Sequence, residues 1–214
     1  MIMKSGKFIS LEGGEGSGKS TCAAYIKQYL ERHNIAFIST REPGGTPLAE
    51  QIRSLVLSER DEKVHDLTEL LLMFAARAQH VREKIQPALA AGVWVLSDRF
   101  VDSSFVYQGL ARGGDMAKIA TLSEWAVADC LPSKTLLFDV PVDLGLSRVQ
   151  QRQQADRLDK ESVAFHETVR QGFLERAVQS PERFSVIDAA QPLTEVYAQI
   201  DVVLLALLAE AKQA

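Results

Sequence analysis

The 214-residue chain is poor in cysteine, with Cys22 and Cys130 alone. Neither sits in a CxxC or Cys/His spacing, which argues against a structural zinc site. Two small core residues in a reducing compartment account for them better. Positive charge is not in excess either. Lys and Arg number 24 against 28 Asp and Glu, a net charge of −4, so the chain has no basic footprint for nucleic acid. A local cluster of arginines in a cleft remains compatible with that total. Long apolar runs are missing too: Val202 to Ala209 is far below the roughly 20 residues that span a bilayer. The N-terminal Met1-Ile2-Met3-Lys4-Ser5-Gly6 lacks an apolar signal region. These absences lead us to expect a soluble cytoplasmic protein that partners neither nucleic acid nor membrane. A composition 46% hydrophobic and 24% charged suits one globular domain over 1–214.

What is present alternates. Lys7 to Leu11, Ile35 to Thr40, Val93 to Ser97, Thr135 to Val140 and, more weakly, Arg183 to Ile187 read as short buried strands. Helices are predicted over Lys19 to His33, Pro47 to Ser58, Asp66 to Ala91 and beyond Pro192. Thr46 and Pro47 supply a cap and a first helical residue. Strands separated by helices imply an α/β fold, a parallel five-stranded sheet flanked by helices in three layers. The polar stretch from Gln150 to Arg157 interrupts two helical segments. It is either a solvated loop or a mobile cover over a site.

The eight residues GGEGSGKS at 13–20 follow the first strand and open the first helix. Gly13, Gly18, Lys19 and Ser20 fit G-x-x-x-x-G-K-[ST], a P-loop in its required context. Backbone N–H groups and the helix N-terminus cradle phosphate. The expected ATP contacts are therefore Gly13, Gly14, Glu15, Gly16, Ser17, Gly18, Lys19, Ser20 and Thr21. Lys19 brings a charge to the β/γ-phosphates and Ser20 a hydroxyl for Mg²⁺. The single asparagine, Asn34, precedes Ile35, so no N-K-x-D guanine motif exists; D-x-x-G and L-S-G-G-Q are absent as well. A small P-loop NTPase-type kinase remains, with a different acceptor or a non-enzymatic ATP switch as the alternatives. Asp98, ending the third strand, is placed to hold Mg²⁺ directly or through water. Asp139, ending the fourth, is its rival. Arg99 beside Asp98 can grip a phosphate bidentately.

TREPGGT (40–46), FAAR (74–77), DRF (98–100), SSFVYQG (103–109) and DRLD (156–159) occur in order. With the P-loop they closely resemble bacterial thymidylate kinase, from about residue 7 to DAAQPL at 188–193. The resemblance implies phosphorylation of dTMP to dTDP with ATP and Mg²⁺, in a homodimer. It implies that Phe74 stacks on thymine and Arg77 reaches its carbonyl, that Arg41 and Arg99 hold the acceptor phosphate, and that Ser103, Ser104, Tyr107 and Gln108 line the sugar and base pocket. Tyr107 would exclude a 2′-hydroxyl sterically. Phe74 as a core aromatic and one of the two serines as a helix cap remain open alternatives.

The family divides on where its catalytic arginine resides. This P-loop has none, so the lid at about 148–158 is expected to supply it. Arg152 is the choice, with Arg157 second, at adenine or phosphate; Arg148 is either functional or a helix-surface charge. Lys19, Arg99 and Asp98 complete the catalytic set. Glu15 is an anion inside an anion cradle. A carboxylate aimed inward would repel ATP, so Glu15 is expected to face the acceptor.

Overall fold

The computed structural model describes residues 6–58, 60–62, 64–151 and 161–213. Five strands form one parallel sheet in the order β2-β3-β1-β4-β5. They are β1 (Phe8–Glu12), β2 (Phe37–Arg41), β3 (Trp94–Asp98), β4 (Lys134–Asp139) and β5 (Phe184–Asp188). Alternate side chains serve opposite faces. Ile9, Leu11, Leu96, Leu136 and Phe138 pack with helices α1 (Lys19–Arg32) and α9 (Leu193–Gln213). Phe8 and Val95 pack with α3 (Asp66–His80) and α6 (Met116–Val127). Leu137 and Phe184 meet α8 (Val163–Gln179) on that second face. The expected three-layer P-loop architecture is thus present.

Register brings the charged strand ends to one edge. Arg41 pairs in register with Asp98, Leu11 with Asp98, and Asp139 with Asp188. In an open parallel sheet that carboxyl edge is where ligands bind.

Helix α2 (Pro47–Leu57) begins as expected, with Thr46 Oγ1 accepting from the Ala49 N–H at 3.3 Å. Three expectations need correction. The single helix over Asp66 to Ala91 is interrupted: a π-helical turn at Val81–Ile85 separates α3 from α4 (Gln86–Ala90). Pro87 has no N–H for the Glu83 carbonyl, and the chain widens so that Gln86 donates to Val81 instead. The second strand starts at Phe37 rather than Ile35, because the Ile35 N–H is spent closing α1 on the Leu30 carbonyl. Ser103 and Ser104 cap nothing; they lie inside the short α5 (Val101–Ser104), which a second π-helical turn continues through Phe105–Ala111. Helix α7 (Val142–Gln150) contains Arg148.

Candidate active site

The phosphate loop connects β1 to α1 through backbone that only glycine adopts easily. Gly18, just before α1, has φ 83° with open space around it, so its requirement is conformational. Gly16 has φ 69°, and a Cβ there would lie 2.0 Å from the Gly145 carbonyl oxygen. Lys19 Nζ turns back into the loop and donates to the Gly13 and Gly14 carbonyls, at 2.9 and 2.8 Å, and to Ser17 Oγ at 3.1 Å. Burial and then the nearby Arg99 charge push the Lys19 ammonium down to about 8, against the pull of Glu15, Asp98 and Glu12. Ser20 and Thr21 are exposed on the first turn of α1.

Glu15 points out of the cradle. Its Oε1 accepts from Arg99 Nη2 at 2.6 Å and from the Tyr107 hydroxyl at 3.0 Å. Burial alone would raise its pKa, but Arg99, then Lys19 and the Tyr107 hydrogen bond, bring it down to about 2. Arg99 sits at φ 65°, its N–H bound to the Leu11 carbonyl at 2.9 Å. Its guanidinium lies over the Tyr107 ring, 4.9 Å from the centroid, and also reaches the Gly13 carbonyl and Ser103 Oγ. One arginine thereby ties the strand end at Asp98 to the loop and to the helix carrying Tyr107.

A buried knot holds the segment after β2. Glu42 accepts from Arg77 Nε at 2.6 Å and pairs with His80 Nδ1 at 2.9 Å; His80 Nε2 meets Thr40 Oγ1 at 2.7 Å. The Glu42–Pro43 peptide is cis. Arg77 also donates to Ser104 Oγ and the Phe100 carbonyl, and lies 4.7 Å from the Phe74 ring centroid. Arg41 reaches outward to Glu50 at 2.9 Å.

These elements enclose a cavity of about 220 Å³. Glu15, Lys19, Ser20, Arg41, Arg77, Asp98, Arg99, Ser103, Tyr107 and Gln108 all line it. Phe74 and Ser104 stand buried outside that lining, and Met73 occupies the wall. On the other side of the loop a groove of about 260 Å³ is lined by Gly16, Ser17, Gly18, Thr21, Arg148 and Gln191, among others. Arg148 donates there to the Ala189 carbonyl at 3.0 Å. Arg152 and Arg157 lie outside the described residues.

Three participants escaped the sequence reading. Glu12, fully buried, accepts from the Phe100 N–H at 2.8 Å and from Ser103 Oγ at 2.7 Å. Burial and the adjacent Asp102 carboxylate push it up to about 7. Glu69 accepts from Gln108 and Arg112. Gln191 and its neighbours are fixed by Asp188, which accepts from the Ala190 N–H and from Gln191 Nε2. Glu12 ends an apolar strand and Gln191 lies within DAAQPL, but neither position by itself signals these contacts, and Glu69 carries no mark at all.

Two cavities meeting at one phosphate loop, one of them rich in arginine, define a P-loop kinase that joins a nucleotide donor to a phosphorylated acceptor. The family model for thymidylate kinase matches residues 11–200. A thymidylate kinase of Marinomonas sp. (strain MWYL1) is 64% identical over 196 residues, covering 92% of each chain. That of Pseudomonas fluorescens (strain SBW25) is 50% identical over 97% of this chain and 99% of its own. The crystal structure of thymidylate kinase from Ehrlichia chaffeensis superposes with a TM-score of 0.74 at 32% identity, covering 94% of this chain and 99% of that one. The chain belongs to the thymidylate kinase family.

Proposed function

We propose that the enzyme transfers the γ-phosphoryl of ATP to dTMP, giving dTDP and ADP, with the two nucleotides entering from opposite sides of the P-loop. The Glu15–Arg99–Tyr107 cluster carries this reading, because it bridges the loop and the arginine-rich cavity at the point where the two phosphates would meet. The donor takes the loop amides and Lys19, with adenine in the groove beside Thr21, Arg148 and Gln191. The acceptor lies in the 220 Å³ cavity, its phosphate between Arg41 and Arg99. Arg77 uses three of its five N–H donors on the described residues, which leaves two for a base carbonyl. Tyr107 shapes the sugar end, and Phe74 backs the Arg77 guanidinium.

Mg²⁺ fits the same edge. Asp98 Oδ1 is buried without a hydrogen-bond partner among the described residues, and Ser20 lines the same cavity. Asp139 is engaged instead by Arg170 in a bidentate pair at 2.7 and 2.9 Å. No group of three or more His, Cys, Asp or Glu placed to hold a metal ion exists among the described residues, so phosphate oxygens and water would complete the coordination. The ion would neutralise charge between the phosphates. Asp98 and Ser20 would hold it, and Arg152 would meet the transferring group from a lid at about 148–158 of this single domain.

No helix of the described residues is long and apolar enough to cross a membrane. A cytoplasmic homodimer is the assembly we propose, through the exposed leucines of α2 and α3. ADP release measured across the nucleoside monophosphates tests the substrate assignment. A strong preference for dTMP over uridine, cytidine and guanosine monophosphates is expected; activity on none of them would sink it.

A further inference from the structure

We infer that Glu69 is a positioning residue for substrate choice: it turns the Gln108 side-chain amide so that an acceptor faces the bound base. The inference rests on placing the acceptor base in the 220 Å³ cavity. Glu69 is buried on α3 and lines that cavity together with Gln108. Its Oε1 accepts from Gln108 Nε2 at 3.2 Å, and both its oxygens accept from Arg112 Nη1 at 3.0 Å. A carboxylate beside a guanidinium offers only lone pairs, whereas a primary amide has one donor end and one acceptor end. Gln108 must therefore give its NH₂ to Glu69, and its oxygen is turned away.

That oxygen, Gln108 Oε1, is buried and takes no hydrogen bond among the described residues. Such atoms are uncommon in native folds and call for a partner from outside the chain. The imide N3–H of thymine is a donor of the required kind. Cytosine presents a bare N3 lone pair at the same position, so it would set acceptor against acceptor. A site built to hydrogen-bond one group discriminates against the analogue that lacks it. The choice of pyrimidine is thus dictated one residue behind the contact, by Glu69. Were Glu69 replaced by a residue able to donate, or by an apolar one, the amide would be free to turn.

The test compares kcat/KM for dTMP and for dCMP, with KM for ATP, in wild type, Glu69→Gln, Glu69→Met, Glu69→Asp and Gln108→Leu. Gln and Met at 69 both remove the acceptor-only partner, so either serves if the other fails to fold. In them the dTMP:dCMP ratio should fall about tenfold or more, mainly through dTMP, with KM for ATP within about twofold. Glu69→Asp, still acceptor-only, should hold the ratio within about threefold. A loss shared equally by dTMP, dCMP and ATP with the ratio intact means packing alone, and overturns the proposal. So does a ratio that collapses as far in Glu69→Asp as in Glu69→Gln. Gln108→Leu separates this role from the pocket assignment. If it lowers the ratio while the Glu69 variants keep it, the pocket stands and the Glu69 role falls. If it leaves the ratio at the wild-type value, Gln108 does not face the base and both fall together.

Discussion

Glu15, in the phosphate loop, and Lys19, where the loop enters α1, are four residues apart, and burial acts on them with opposite outcomes. Glu15 has Arg99 and Tyr107 against it, and its charge is secured. Among the described residues Lys19 has only carbonyls and a hydroxyl as hydrogen-bond partners, with the Arg99 charge nearby, and it is brought down to about 8. The free enzyme therefore begins to lose its loop charge above about pH 8. Because kcat/KM reports groups of the free enzyme, kcat/KM for ATP should fall about tenfold per pH unit above that point. Bound phosphates favour the charged amine, so the limb in kcat should appear at higher pH. A kcat/KM for ATP that stays flat to pH 9.5 would refute this account of Lys19. The catalytic role proposed for Arg152 is a second residue-scale matter. Arg152→Ala should lower kcat by about a thousandfold or more with little change in nucleotide affinity, and turnover within a few-fold of wild type would remove the role from Arg152. Glu15 and Lys19 were readable because a spaced motif fixes their surroundings. Glu12 and Glu69 were not: each is one carboxylate among many in the sequence, and its burial depends on side chains brought from distant segments.

At the scale of elements, strands were legible from their apolar runs, and the capped α2 from Thr46 and Pro47. The π-helical turns at Val81–Ile85 and Phe105–Ala111 were not, since a helical spacing looks alike whether the turn holds four residues or five. The junction between β3 and α5 shows what such irregular elements depend on. Arg99 occupies left-handed backbone there, and Glu12, on the neighbouring β1, binds both the Phe100 N–H and Ser103 Oγ. The hydrogen bonds stabilise the turn, but the buried charge opposes folding. Glu12 keeps a proton in the fold up to about pH 7, whereas the unfolded chain releases it near 4.5. The folded state binds more protons across that window, so stability falls as pH rises through it; on either side Glu12 adds no pH dependence, and above about pH 7 its full cost persists. Glu12→Gln can still accept from Phe100 and donate to Ser103 without ionising. In urea unfolding at pH 5, 6, 7 and 8, the variant should gain on wild type by about 2–3 kcal/mol between the ends of the window. A stability difference independent of pH would show that Glu12 does not titrate in the fold.

For the whole molecule, sheet and layers follow from alternating strands and helices, whereas the order β2-β3-β1-β4-β5 rests on crossovers that composition does not encode. Assembly is also a property of the outer surface. Leu48 and Leu55 on α2 and Leu67 and Leu71 on α3 are about half exposed, and Trp125 on α6 is 74% exposed. Helix α3 packs against both α2 and α6, which brings these apolar side chains to adjoining helices. Leu67 and Leu71 stand one turn apart, on the same face. Fully burying an exposed leucine side chain contributes about 1.5–3 kcal/mol, and a half-exposed one about half of that, so a few such residues, each used twice across a two-fold axis, would supply the apolar centre of an isologous interface. The wild-type enzyme should sediment at twice the 23.6 kDa chain mass. In such an interface Leu71→Glu would place two like charges near the axis, and it should give the single-chain mass while leaving the circular dichroism of the fold unchanged. Two results would break the argument: a wild type that sediments as one chain, or a Leu71→Glu variant that remains paired. The second would move the interface elsewhere, for instance to the exposed Val202 and Leu205 of α9, and Val202→Glu would then be the variant that separates the chains.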